Sequence, residues 1–169
     1  MAFAAVIWSA LGGAGLAWLG WAGFGLAALG TLVMTVSPFF PGADPVLNNY
    51  IPVLKHDVFF ASLWICGAGF SLAVLRALLT TWPRPFTGSP YRLGAFLGAL
   101  AAFFALAAFF WSWAMVPRVE EPIYFEVLFW GGGHTLQFQH ALLMVVAWLW
   151  IGAQLGAPSK ASPRALTAL

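Results

Sequence analysis

Charge is scarce in this chain. Of its 169 residues seven are Lys or Arg and five are Asp or Glu, so 7% are charged, where a soluble domain carries about 25%. The net charge of +2 is scattered along the chain, which excludes the clustered basic face that nucleic-acid binding requires. No Lys or Arg precedes the first apolar run, and charge-free sequence continues to Ala43, so the basic n-region of a secretory signal peptide is missing. A single cysteine, Cys66, lies in an apolar run, which excludes a disulfide framework and a thiolate metal cluster and leaves Cys66 as a small packing residue. There is no CxxCH haem attachment, no paired acid within an apolar run, no Ser and His nucleophile arrangement and no internal repeat. What remains is 62% hydrophobic, the composition of an integral membrane protein.

The charge-free windows are Met1–Ala43, Val58–Leu75, Leu93–Pro117 and Val127–Ser159. A spanning helix needs about 20 apolar residues. Gly12-Gly13-Ala14-Gly15 divides the first window. The pattern predicts an all-α, polytopic transmembrane bundle in one membrane domain, 1–169. It has four full spans at 16–37, 57–80, 91–115 and 124–155, plus an N-terminal half-span at 1–11. Met1–Leu11 is too short to cross a core about 30 Å thick at about 1.5 Å per residue. Ser162-Pro163-Arg164 reads as a cap and a first-turn proline starting another helix over 162–169. The expectation is a fragment of a larger membrane subunit.

Lys and Arg in short loops set orientation. Arg76, Arg84 and Arg92 stand with no acid between them, and Lys160 and Arg164 follow the last span. These segments, the Arg76–Arg92 loop and the C-terminus, are expected to be cytoplasmic, in a bacterial inner (plasma) membrane. The loop of Pro38–His56 and the acidic stretch Glu120, Glu121 and Glu126 then face outward. The outer loop, rich in Pro, Asn, Gly and aromatics, reads as an ordered cap.

The concentrated chemical signal is the segment Glu121–His140, EPIYFEVLFWGGGHTLQFQH. It places His134 about ten residues, on the order of 15 Å, below the outer surface. A histidine at that depth needs a partner, a cavity or a metal. Imidazole suits copper, iron and zinc alike, and it also suits a hydrogen bond across a helix interface; spacing leaves both open. Gly131-Gly132-Gly133 offers either close approach to a ligand or small-residue helix packing. Gln137 shares the His134 face as a candidate supporting residue, beside Phe138. His140, six residues on, lies on a different face, where it is a polar contact to another helix or part of a proton path. His56, between Lys55 and Asp57, is interfacial. No two of these histidines sit at matching depth on facing helices, so a haem held between two of them has poor geometry.

The stretch EPIYFEVLFWGGGH resembles the sixth-helix motif of the catalytic subunit of haem-copper oxidases, DPxxYxxLFWFFGHPEVY. The correspondence runs through Glu121, Pro122, an aromatic at Phe125, then Leu128, Phe129, Trp130, Gly133 and His134. The resemblance, to a divergent branch of cytochrome c oxidase subunit I-like proteins, implies that His134 is one of three ligands of the copper ion facing the high-spin haem. Trp130, Gly133 and Gln137 would support it. No residue is assigned a catalytic role. The preceding spans would be the third, fourth and fifth helices and Met1–Leu11 the inner end of the second. The haem axial ligands would then precede Met1 or follow Leu169. The resemblance covers the middle third of such a subunit.

It implies a respiratory, electron-transporting oxidoreductase with copper and haem, reducing oxygen to water with electrons from cytochrome c or quinol. Other oxidase subunits and the lipid bilayer would be its partners, proton pumping a further possibility, and nucleic acid no partner. After His134 the family's commonest branch has Pro-Glu-Val-Tyr; here stand Thr135, Leu136, Gln137 and Phe138. The relay acid and redox tyrosine are absent from those positions, which leaves a nitric oxide reductase-like member as an alternative. Residues 1–169 by themselves are expected to be inactive. A different class remains open: a small non-enzymatic membrane structural or assembly protein, with His134 as a packing residue. A transporter fragment would call for a buried acid or paired broken helices, and neither is evident.

Overall fold

In the computed structural model, which describes residues 2–47, 53–82, 90–117 and 119–157, five helices run in chain order: α1 (Ala2–Gly12), α2 (Ala17–Val36), α3 (Asp57–Thr81), α4 (Pro90–Met115) and α5 (Glu121–Gln154). By length and composition α2, α3, α4 and α5 can each cross a membrane, while α1 is a shorter apolar helix. The predicted start of a helix at 162–169, with Lys160, Arg84 and Arg118, lies outside the described residues.

Local chemistry accounts for the helix ends. Pro38 follows α2, and a single 3-10 turn, Ser37–Phe39, takes over because proline cannot continue the ladder. His56 caps α3, its Nδ1 accepting from the Val58 N–H at 3.1 Å; the interfacial histidine thus satisfies an orphan donor. Helix α5 starts at Glu121, three residues before the expected Tyr124, with Pro122 in its first turn, where a missing N–H costs nothing. It stops at Gly156, which has φ 77°. There the Ala157 N–H donates to Gly152 O and the Gly156 N–H to Ala153 O, a Schellman closure.

The connection between α2 and α3 carries strand β1 (Asp44–Val46), paired antiparallel with β2 (Val53–Lys55). This short ladder departs from the all-α expectation. Pro45, lacking an N–H, sits in it, tolerable in a two-stranded ribbon where every strand is an edge.

Helices α2 and α3 pack at backbone distance. A Cβ on Gly30 would lie 2.6 Å from Cys66 N and 2.7 Å from Ser62 O, so only glycine admits that approach. Helices α4 and α5 pack in antiparallel register, Gly98 against Leu143 and Gly94 against Val146.

The short helix α1 stands at the centre of the core. Ala4, Ile7 and Trp8, spaced to share one face, are at most 3% exposed and pack with Phe70, Val74, Ala99 and Leu143. The Trp8 Nε1–H donates to Ala95 O at 3.0 Å, and its ring lies 6.3 Å from that of Phe70. After α1 the chain turns through Gly13 and Leu16, both with positive φ. Arg76, counted in the sequence among the loop charges, is instead within α3 and 7% exposed. Its Nη2 donates to Gly13 O at 3.0 Å, its Nε to Gly15 O at 3.1 Å and Leu16 O at 3.2 Å, and its Nη1 to Ser9 Oγ at 3.2 Å. A buried cation in an apolar bundle pairs with backbone carbonyls when no acid is at hand.

Candidate metal-binding helix

Helix α5 is held at its start by two contacts from the α3 side. Lys55 of β2 pairs with the Glu121 carboxylate at 2.6 Å, and the Phe60 and Phe125 rings stack with centroids 5.7 Å apart. The bond and charge of Glu121 raise the Lys55 ammonium above its ordinary value. The acid that opens the motif therefore anchors the helix to the hairpin. Further along, Phe129 meets Phe109 of α4 edge-on at 6.1 Å. A Cβ on Gly132 would fall 2.5 Å from the Phe109 ring, whereas one on Gly131 would meet nothing within 4 Å. Within the glycine run, Gly132 is thus the position that seats α5 on α4. Gly133 is half-buried.

At 100° per residue, Trp130, His134 and Gln137 fall on one side of α5, and Gln139 and Gly132 on the opposite side. Burial follows that division: Gly132, Gln139, Leu143 and Val146 are buried, while Trp130, Gln137, Phe138 and Trp148 are exposed. His134 is half-buried on the outward side. Beside it opens a cleft of about 480 Å³ lined by Ile123, Glu126, Val127 and Trp130.

His134 Nδ1 lies 2.7 Å from Trp130 O, and the two rings are 4.7 Å apart. A carbonyl oxygen only accepts, so Nδ1 is the donor in this contact, an arrangement in which a backbone carbonyl orients an imidazole. His140 makes the same bond to Leu136 O at 2.7 Å and is exposed. Its hydrogen bond stays within α5 and does not reach a neighbouring helix. Thr135 donates to Gly131 O at 2.9 Å.

Among the described residues no group of three or more His, Cys, Asp or Glu is placed to hold a metal ion. His134 is the candidate for a single imidazole ligand.

Two polar residues of the bundle escape sequence reasoning. Arg76 is one; Gln139 is the other, fully buried with neither amide atom hydrogen-bonded. The antiparallel register that sets Gly132 by Phe109 and Leu143 by Gly98 puts Gln139 opposite Ala102, in a stretch of α4 with no polar side chain between Leu93 and Phe110. The signal was available in the helical spacing, since Gln139 is seven residues after Gly132 and four before Leu143.

No family model matches the chain, and no solved structure matches it. It is similar to an uncharacterized protein of Rickettsia prowazekii, 30% identical over 131 residues, which covers 73% of this chain and 25% of the relative. It is also similar to an uncharacterized protein of Aquifex aeolicus, 31% identical over 124 residues, 73% of this chain and 32% of the relative. The chain thus spans about a quarter to a third of the length of the curated relatives it matches.

Proposed function

We propose that this chain is part of the catalytic subunit of a membrane-embedded haem-copper oxidoreductase, in which Nε2 of His134 is one copper ligand. The observation that carries the proposal is the His134 Nδ1 contact with Trp130 O, within a segment resembling the family's copper-ligand helix. When bound, copper and its facing haem would supply the electron-transfer chemistry that reduces oxygen to water.

The chain's own residues would hold and orient. The Trp130 carbonyl fixes the imidazole tautomer, and the Trp130 ring covers one side of it. Gly132 seats the helix on α4, and the Lys55 pair with Glu121 sets where it begins. Gln137, exposed on the same side, is available to whatever packs there. Large apolar side chains such as Trp18, Trp21, Phe110, Trp111 and Trp148 are more than 60% exposed, which supports a lipid surface. The loop charges support placing the Arg92 end on the cytoplasmic side, in what we take to be a bacterial inner membrane. Cytochrome c or quinol would be the electron donor, other oxidase subunits the partners.

The test is metal analysis of the full-length protein against its His134→Ala variant. Copper is expected to fall from one per haem-copper centre to near zero while haem absorbance persists. Unchanged copper content would overturn the assignment. Oxygen and nitric oxide, supplied separately to the reduced full-length protein, separate the oxidase from the nitric oxide reductase-like alternative, which the absence of a relay acid and tyrosine after His134 keeps in view. The outward apolar stripe of α5 also favours a second reading, a helix-docking structural or assembly protein. In that case a native protein free of copper and haem would keep its partner in His134→Asn, which retains hydrogen bonding.

A further inference from the structure

The end of the bundle where α3 finishes and α4 begins holds a feature unrelated to His134. Leu78, Leu79 and Trp82 from α3 and Phe96, Leu100 and Phe103 from α4 line an apolar cleft of about 360 Å³. Among its lining side chains, the Trp82 and Phe96 rings lie 5.5 Å apart. Arg92 stands one turn before Phe96, and 92, 96 and 103 share one side of α4. Its Nη2 reaches Thr80 O at 3.4 Å, the long limit of a hydrogen bond. Its Nε is buried with no hydrogen-bond partner.

A buried N–H of a cation left without an acceptor is costly. The contrast with Arg76, whose Nε, Nη1 and Nη2 all donate to oxygen, singles out Arg92. In the sequence no Asp or Glu occurs between Asp57 and Glu120.

We propose that this cleft binds an anionic phospholipid, with the phosphate on the Arg92 guanidinium and an acyl chain along the cleft. A guanidinium presents a fork of donors matched to phosphate oxygens, and basic pockets between helices at the bilayer edge take lipid head groups. Trp82 at the end of α3 suits the same interfacial level. A free phosphate would satisfy Arg92 and leave the apolar walls unfilled; a lipid meets both. The proposal rests on the membrane placement of the chain and is independent of copper at His134.

The experiment uses the full-length protein reconstituted into vesicles of phosphatidylcholine with a minority of phosphatidylglycerol, then released for native mass spectrometry. Phosphatidylglycerol is expected to be retained over phosphatidylcholine. Arg92→Gln lowers the retained phosphatidylglycerol about fivefold, and Arg92→Lys, which keeps the charge and loses the fork, lowers it less. Leu100→Trp, which fills the cleft and keeps the cation, lowers it as well and decides the matter should Arg92→Gln fail to fold. Equal retention of the two lipids by the native protein, or native-level phosphatidylglycerol in a folded Arg92→Gln or Leu100→Trp, overturns the proposal. Release of the protein from membranes by alkaline carbonate overturns the membrane placement and the lipid site together. A carbonate-resistant protein without lipid preference overturns the lipid site alone.

Discussion

The Arg76 Nη2 donates to the Gly13 carbonyl oxygen at 3.0 Å, joining α3 to the turn that follows α1. Three other bonds from the same guanidinium close on Gly15, Leu16 and Ser9. Leu16 has φ 52°, a left-handed conformation that costs a branched residue about 1–2 kcal/mol. Arg76 offsets that strain by satisfying the carbonyls the turn exposes.

Arg76→Met should therefore destabilise the protein by about 2–3 kcal/mol, the range for losing hydrogen bonds to a charged donor. Arg76→Lys should recover only part of the loss, because an ammonium cannot span carbonyls as a planar fork does. Thermal midpoints in detergent give the magnitude. Limited proteolysis gives the location: cleavage should rise at Gly12–Leu16 before it rises elsewhere.

Gly132 tests the seating of α5. With a Cβ aimed 2.5 Å from the Phe109 ring, Gly132→Val should cost about 1–3 kcal/mol by overpacking. Phe109→Ala should lose stability by itself, yet the double variant should be more stable than the two losses summed, since the small ring-side residue makes room for the new side chain. Additive losses in that cycle would mean that the two residues do not meet. Gly131→Ala, facing open space, should be neutral to stabilising through better helix propensity.

The long helices are legible because long apolar runs are separated by glycine, proline and charge: Asp57 opens α3, and Pro38 follows α2. What packs against what is not legible. Length alone makes α1 a stub, although the spacing of Ala4, Ile7 and Trp8 already marks one face; only its position between α3 and α4 makes it core. Arg76 looks like a loop charge because it follows Leu75, the last residue of a charge-free window, and nothing local announces that its acceptors lie sixty residues earlier. The ladder of β1 and β2 is three residues per strand, too short for an alternating pattern to register. His134 was visible as a histidine at depth, but which side of α5 it takes depends on the register with α4, which no periodicity within α5 can supply.

The Lys55 pair with Glu121 gives a pH dependence of definite sign. The hydrogen bond and charge of Glu121 raise the Lys55 pKa in the folded state. The stabilisation is therefore fully present below the ordinary lysine range and is lost as pH climbs through the raised value. Comparing Lys55→Met with the native protein, the difference in melting temperature should be flat through neutral pH and close in strongly alkaline solution. Both side chains are more than half exposed, so added salt should shrink the difference at every pH. A difference that widens with alkali would contradict the pairing.

Gln139 offers the sharpest test of the α4 and α5 interface. Its amide is fully buried and makes no hydrogen bond, and the register sets it against Ala102. Leaving such a group unsatisfied costs about 1–3 kcal/mol, while replacing it with an apolar side chain of similar size removes that cost. Gln139→Leu should then raise the stability by about 1 kcal/mol, and Gln139→Met should do nearly as well because its flexible chain fits an irregular gap. Since Gln139 lies on the opposite side of α5 from His134, copper content should not change in either variant. A loss of stability instead of a gain would reveal a buried water or another acceptor at the amide. In that case Ala102→Ser beside the native Gln139, whose hydroxyl would otherwise raise the midpoint by pairing with an unsatisfied amide, should leave the midpoint unraised.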